Sequence, residues 1–397
     1  METLNPILSD VLNRARKTAF YQDRLPNSSW ENIPLTTKSD LRDSYPFGLL
    51  ALPHRQIASY HESSGTSGKP TASFFTEADW QDVVSRFLRN AINVSENDWI
   101  FIKTPYSLVT TAHQMHRAAE MVGATVVPGS NRTTNMSYPK VLRLLSDLPI
   151  TAVWCLPTEV CLWAKAARQL NLNPITSFPH LRAFLVAGES LAPSRKKAME
   201  SFWGRPIFCD YGSTETGSLG GQCSHGNMHL WEDRLYFELV DKVAQNCGSL
   251  VVTSLHRQAM PLVRYNLGDV VRLGAADSCG CGSRFRTIEV LGRKESAISG
   301  PDGPVFPIDI EEALFSLLEL PGDCLWRAKW MGDRLKVEVD RPFSNALAEL
   351  EMKLRLPITI SYVEDILPRD HLMKETKFSK PKYLLSADDS WHSAITY

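Results

Sequence analysis

Between residues 98 and 187, short apolar runs alternate with stretches of helical period. The segments 98–103 (DWIFIK), 124–127 (ATVV), 151–155 (TAVWC) and 183–187 (AFLVA) are short, apolar and rich in β-branched or aromatic residues, so each predicts a strand. The segments 113–122, 139–148 and 159–169 carry apolar positions at a spacing of three and four, which predicts helices on the faces of a parallel sheet. Past about residue 230 the pattern changes. Segments 235–240 and 249–253 alternate or run apolar around short turns, which predicts an antiparallel region. From Arg293 onward a helix at 308–318, a strand at 335–339, a helix at 344–355 and a strand at 358–363 make a compact α+β unit. The expected fold is α/β. A large N-terminal domain, residues 1–292, carries mixed and parallel sheets flanked by helices, and a small C-terminal α+β domain covers 293–397.

Composition narrows the partners. The chain has 397 residues, 43% hydrophobic, with a formal net charge of −1, which fits a globular protein of more than one domain. No basic excess calls for a nucleic acid. No run of eighteen apolar residues exists and the N-terminus lacks an apolar signal core, so no membrane is expected and a cytoplasmic location is. Eight cysteines without a signal peptide suggest free thiols or metal ligands rather than disulfides.

Residues 61–71, HESSGTSGKPT, hold no large aliphatic side chain and cannot build core. Such a run can wrap backbone N–H groups, hydroxyls and one ammonium around a nucleotide's phosphates; a flexible surface turn is the equal alternative. It is not a Walker A loop, because Ser63 stands where the first glycine belongs and Pro70 replaces the metal-binding hydroxyl. Tyr211-Gly212-Ser213-Thr214-Glu215 follows a strand-like segment at 206–210. Glu215 there either holds Mg²⁺ through oxygen or caps a helix. Asp269, after a glycine-containing turn, either accepts ribose hydroxyls or sits in a plain surface turn. Gly292-Arg293-Lys294-Glu295 reads as a hinge or a linker. Lys380 lies in a lysine-rich stretch whose other members read as solvated charge. Cys223 and His229, then Cys279 and Cys281 about fifty residues later, have the pattern of a closed structural zinc site. Free thiols are the alternative, and His225 competes with His229.

In this order and at these separations the motifs resemble the adenylate-forming superfamily of acyl-CoA synthetases, peptide-synthetase adenylation domains and luciferases, and within it the phenylacetate–CoA ligase branch. The matching residues are Phe20-Tyr21, PLTTKSDLR at 34–42, YPFGL at 45–49, SSGTSGKPT at 63–71, and His116 ahead of Ala119-Glu120. YGSTE at 211–215, Trp231-Glu232-Asp233, SLHRQAMPLVRYNLGD at 254–269, Gly292-Arg293 and VFPIDIEEAL at 305–314 complete them.

The resemblance implies a two-step reaction: a carboxylate attacks the α-phosphate of MgATP, and the acyl-AMP then passes its acyl group to a nucleophile, usually the CoA thiol. It assigns Ser63, Ser64, Gly65, Thr66, Ser67, Gly68 and Lys69 to the β,γ-phosphates, and Gly188, Glu189, Tyr211 and Gly212 to adenine. Ser213 and Arg293 join the nucleotide-binding set, Thr214 and Glu215 serve phosphate and Mg²⁺, and Asp269 binds ribose. Lys380 becomes the mobile catalytic lysine of a C-terminal lid, Glu295 its hinge, and His116 a gate beside the carboxylate. Pro105, Tyr106, Ser107, His113 and Ala187 would line a pocket for a small aromatic acid. Relatives in this branch also carry a Cys/His zinc cluster. The expected cofactors are therefore ATP, Mg²⁺, CoA and structural Zn²⁺.

Tyr383 replaces the basic residue usual after the catalytic lysine. Two other features bear on the acceptor: the turn at 300–307 is two residues longer than the family pattern, and the chain is short for the branch, with a length comparable to amide-forming relatives. An amine, as in indoleacetate–lysine ligases, or a carrier-protein thiol thus stands beside CoA as acceptor. A homodimer is left open. A nucleotide-binding protein without catalysis is opposed by the presence of Lys69, Glu215, Asp269 and Lys380 together.

Overall fold

The computed structural model describes residues 6–25, 30–63, 69–131, 136–344, 346–364, 366, 384–388 and 390. Of the candidate site residues, Ser64, Gly65, Thr66, Ser67, Gly68 and Lys380 lie outside the described residues. The chain forms two compact units. The first joins Met1–Glu96, Pro105–Ala124 and Phe208–Val290; the second joins Asn97–Thr104, Thr125–Ile207 and Leu291–Tyr397.

In the second unit the strands Thr125–Pro128, Trp99–Ile102, Ala152–Cys155 and Ala183–Val186 pair in that order, all parallel. Ala152–Cys155 and Ala183–Val186 are buried throughout, which explains why they read as unbroken apolar runs rather than alternating ones. The helices Tyr138–Asp147, Pro157–Gln169 and Pro193–Trp203 each start with proline in the first turn, where the missing N–H costs nothing. A second sheet has Trp326–Trp330 antiparallel to Leu335–Val339, which pairs parallel to Ile358–Tyr362, while Leu384–Leu385 runs parallel on the other edge. The helix Pro307–Leu317 accompanies it. Glu311 on that helix meets Arg195 of the Pro193–Trp203 helix at 2.7 Å, with both side chains buried, and also accepts from Trp326 Nε1 at 2.8 Å and the Ala192 N–H at 2.7 Å. Both oxygens of that buried carboxylate are thereby engaged, the condition under which a buried ion pair is tolerable.

In the first unit the hairpin Ser59–Glu62 and Ala72–Phe75 leads to the helix Glu77–Phe87, which opens on a reciprocal capping box between Thr76 and Asp79. Strands Ile207–Ser213, Gly217–Gln222 and Met228–Leu230 form an antiparallel meander, and Leu235–Ala244, Cys247–Ser254 and Tyr265–Leu273 form another. The predicted antiparallel region is therefore present. The core of this unit gathers Tyr21, Trp30, Leu219, Trp231, Leu250, Val263 and Tyr265. Two of the matched N-terminal motif residues act as struts there. The Tyr21 hydroxyl lies 2.8 Å from Thr36 Oγ1 and accepts the Val263 N–H at 3.0 Å, and burial pushes its pKa up to about 12. Thr36 donates its own N–H to the Arg264 carbonyl at 2.9 Å and accepts the Asn266 N–H at 2.8 Å. These bonds pin the start of the strand that carries Asp269.

Candidate active site

The Ser59–Glu62 and Ala72–Phe75 strands pair in register, with His61 opposite Ser73, and the Ser63 N–H closes the ladder on the Thr71 carbonyl at 3.1 Å. The polar run is thus the connection of a β-hairpin, with Lys69 exposed on its return limb. Ser63 Oγ accepts the Thr71 N–H at 3.1 Å and lies 2.7 Å from Thr71 Oγ1, which itself lies 2.6 Å from Glu215 Oε1. Thr71 has one hydroxyl proton, so it donates to the carboxylate and accepts from Ser63. A chain of three side chains therefore ties the base of the hairpin to Glu215, 144 positions beyond Thr71.

Glu215 sits in the tight turn linking Ile207–Ser213 to Gly217–Gln222, so the helix-cap reading of this residue is not what the structure shows. The turn needs its glycines: a Cβ on Gly212 would lie 2.3 Å from the Gly217 carbonyl oxygen, and Gly217 has φ +66°. Glu215 is 3% exposed. Arg257, also buried, donates to the Glu215 carbonyl at 3.1 Å, to the Phe74 carbonyl at 2.6 Å and to Ser73 Oγ at 3.3 Å, and lies over the Phe75 ring. Burial lowers its pKa to about 10, which leaves it protonated at neutral pH. Arg257 clamps the hairpin to the Glu215 turn. In the sequence Arg257 is one charge within the 254–269 motif, with no local sign of a role, because its partners lie 42 and 183 positions away.

Asp269 lies on the strand Tyr265–Leu273, where the register with Cys247–Ser254 slips after Asn266 and Gly268 takes φ +79°. The bulge re-aims the strand, and Tyr211 donates its hydroxyl to Asp269 Oδ2 at 2.7 Å. The residues expected to touch adenine and ribose are thus in direct contact. Below them Asp210, 6% exposed, accepts from Ser218 Oγ at 2.7 Å, and burial raises its pKa to about 8.

A third group surrounds the helix Thr111–Val122. The Tyr106 hydroxyl is 2.9 Å from His116 Nδ1, while His116 Nε2 is 3.3 Å from Glu120 Oε1. With Nε2 protonated toward the carboxylate, Nδ1 is the acceptor and Tyr106 the donor. His113 Nε2 contacts the Tyr106 carbonyl at 2.9 Å, and its ring meets that of His61 edge-on at 5.1 Å. His61, the first residue of the polar run, is buried against Phe75 and Trp80, and burial lowers its pKa to about 4.

Cys223, His229, Cys279 and Cys281 come together with all ligand atoms within 4.8 Å of one another. Cys223 Sγ and Cys279 Sγ are 3.7 Å apart, and Cys281 Sγ is 3.3 Å from His229 Nε2. Ligands at tetrahedral zinc bond lengths stand about 3.8 Å apart, so the spacing fits that ion. His229 Nδ1 is 2.9 Å from the Phe285 carbonyl, which makes Nδ1 the donor and leaves Nε2 for a metal. Hydrogen bonds from the Asn227 side chain and the Cys281 backbone hold the Cys279 thiol down to about 6. His225 is not in the group.

The remaining candidates are dispersed by element. Ala187, Gly188 and Glu189 follow the strand Ala183–Val186; Gly188 has φ +87°, and Glu189 Oε2 accepts from Thr158 Oγ1 at 2.6 Å. Pro105 is half-buried and Ser107 exposed ahead of the Thr111–Val122 helix. The Ser213 N–H contacts Thr216 Oγ1 at 3.3 Å, and the Thr214 carbonyl accepts from Ser73 Oγ at 3.2 Å. Arg293 ends the strand Ile288–Arg293 and Glu295 lies exposed in the 3₁₀ turn Lys294–Ser296. The lengthened turn is a hairpin, Ile298–Gly300 against Gly303–Val305, whose extra residues form its tip.

Residues 13–255 match the AMP-binding enzyme family. The chain belongs to that family. The phenylacetate-coenzyme A ligase of Thermus thermophilus is 30% identical over 335 residues, covering 80% of this chain and 74% of that one. The enzyme of the same name from Escherichia coli is 31% identical over 301 residues, covering 72% and 67%. Among solved structures, a 2-hydroxyisobutyryl-CoA ligase in complex with 2-HIB-AMP superposes with a TM-score of 0.80 at 20% identity, covering 96% of this chain and 88% of that one. An anthranilate CoA ligase gives 0.59 at 20% identity, covering 80% and 64%. These two confirm the α/β fold. The protein is an AMP-forming enzyme of the acyl- and aryl-CoA ligase class, and membership implies use of ATP and CoA. Among the described residues no helix is long and apolar enough to cross a membrane.

Proposed function

We propose that the protein activates a small aromatic carboxylic acid as its acyl-adenylate and passes the acyl group to the thiol of CoA. The observation that carries this reading is the Ser63–Thr71–Glu215 chain, which couples the phosphate hairpin to the carboxylate suited to a metal. The relatives named phenylacetate-coenzyme A ligase support the aromatic acid.

In the first step a carboxylate oxygen of the acid attacks the α-phosphorus, and the bond to the pyrophosphate oxygen breaks. The nucleophile is already ionised, so no general base is required; the barrier is charge repulsion and its build-up on phosphorus. Ser63 to Lys69 grip the β,γ-phosphates and orient pyrophosphate to leave. Glu215 and Thr214 stand where a magnesium ion beside the triphosphate would be held, and such an ion would neutralise charge on the departing oxygens. Asp269, oriented by Tyr211, accepts the ribose hydroxyls. Gly188, Glu189, Tyr211 and Gly212 flank adenine, and Arg293 joins the nucleotide contacts. Lys380 bridges acyl and phosphate oxygens. In the second step the thiol sulfur attacks the acyl carbon, AMP leaves, and the thiol proton passes to solvent. His116, set by Glu120 and Tyr106, stands beside the reacting carboxylate, and Tyr106, His113, Pro105, Ser107 and Ala187 contribute to the acid pocket. The Cys/His cluster holds structural zinc.

Acid-dependent exchange of labelled pyrophosphate into ATP tests the first step. Exchange with at least one member of an aromatic acid panel is expected. ATP binding without exchange for any acid in a broad aryl and alkyl panel would sink the reading. Product mass with CoA, an amine or a carrier protein then fixes the acceptor.

A further inference from the structure

The strands Trp99–Ile102 and Thr125–Pro128 end side by side, Ile102 opposite Pro128. Beyond them the chain turns sharply. The Gly129 and Ser130 N–H groups both point at the Ile102 carbonyl, at 2.9 and 3.0 Å. A Cβ on Gly129 would lie 2.3 Å from the Phe101 ring, so only glycine passes there, and Ser130 takes φ +53°. This turn places Asn131 at the same carboxyl edge of the sheet as Thr104. Thr104 is 2% exposed and Asn131 8%. Thr104 Oγ1 and both Oδ1 and Nδ2 of Asn131 are buried without a hydrogen-bond partner among the described residues.

Leaving a buried polar atom unpaired costs about 1–3 kcal/mol, and folded proteins keep few of them. Three such atoms on two neighbouring strand ends, at the edge where open α/β sheets bind ligands, call for an occupant. Its charge is constrained as well. Lys103, next in the chain, is buried and paired with the buried Glu159 at 4.0 Å, so that residue adds no net charge to attract an anion.

We infer that Thr104 and Asn131 form a polar subsite for a neutral hydroxyl or amino substituent on the acid substrate. Such a group both donates and accepts, and so matches a hydroxyl beside a carboxamide. The inference rests on the proposed adenylation of an acid and names the feature that selects the acid.

The test compares hydroxy- or amino-substituted aryl acids with their unsubstituted parents in pyrophosphate exchange, using wild type, Thr104→Val and Asn131→Leu. Thr104→Val keeps the shape and removes the orphan hydroxyl. It is expected to raise KM for the substituted acid about tenfold, the worth of one good hydrogen bond, with the parent acid unaffected and the melting temperature unchanged or higher. Equal kinetics on both acids, or equal losses that follow a lowered melting temperature, would overturn the subsite; an ordered water bound there gives the first of these results. If no acid supports exchange, the adenylation reading fails separately. The subsite is then read from melting-temperature shifts by the same acids. A shift by the substituted acid that Thr104→Val abolishes supports it, and no difference between proteins overturns it.

Discussion

Asp210 shows how far one buried group reaches. It sits beneath Tyr211, accepting from Ser218 Oγ, which also accepts from Trp231 Nε1 at 2.9 Å. Burial raises its pKa to about 8, against about 3.9 for an unfolded aspartate. Between those values the folded protein keeps a proton that the unfolded chain releases. Stability from this group is therefore full below about pH 4 and is lost as the pH rises toward 8. Relative to Asp210→Asn, which cannot ionise, the wild type should lose upward of about 1 kcal/mol of unfolding free energy across that window, measured by urea denaturation at a series of pH values. Parallel pH profiles for the two proteins would contradict it. Neither Asp210 nor Arg257 stood out in the sequence, because the signal of each lies in its partners. Arg257 is one charge in a motif until Phe74 and Glu215 are seen to accept from it. Glu215 and Asp269 were legible as candidates because glycines and small polar residues flank them, a local signal of a special backbone.

At the scale of elements, hydrophobic period did most of the work. The strands Trp99–Ile102, Ala152–Cys155, Ala183–Val186 and Leu335–Val339 stand where apolar runs place them, with ends shifted by a residue or two. The Glu215 turn was less legible, since small residues before a carboxylate open helices and tighten hairpins alike. The Cys/His cluster was legible by spacing, which also favoured His229 over His225, and the strand Met228–Leu230 presents His229 beside Cys281. As a zinc site it would staple the turn after Gln222 to the loop before Arg286, two segments with little apolar content of their own. Stripping metal with a strong chelator should lower the melting temperature by several degrees, since binding free energy at a structural site is folding free energy. Wild-type protein should carry one zinc per chain by elemental analysis. A metal-free protein that melts as before, or that is folded yet inactive, would contradict the structural role.

At the scale of the whole molecule, the question is what moves. The proposed lid covers 293–397 and hinges at Glu295, yet within the second unit Leu291–Tyr397 groups with Asn97–Thr104 and Thr125–Ile207. Arg195 and Glu311 are both buried in that unit, and Asp340, itself buried, pairs with Lys165. These pairs join the C-terminal part to the Pro193–Trp203 and Pro157–Gln169 helices, so a lid that swings as one body must separate and rehydrate them or carry those helices with it. The chemistry offers a test that does not depend on the route. If Lys380 stabilises charge only while the carboxylate attacks phosphorus, Lys380→Ala should abolish adenylation, by about a hundredfold or more, and leave thioester formation from supplied acyl-AMP near wild type. Single-turnover rates for each half-reaction measure the split. Equal loss in both would mean that Lys380 shapes the site rather than acting in one step, and the lid reading would lose its reason for motion.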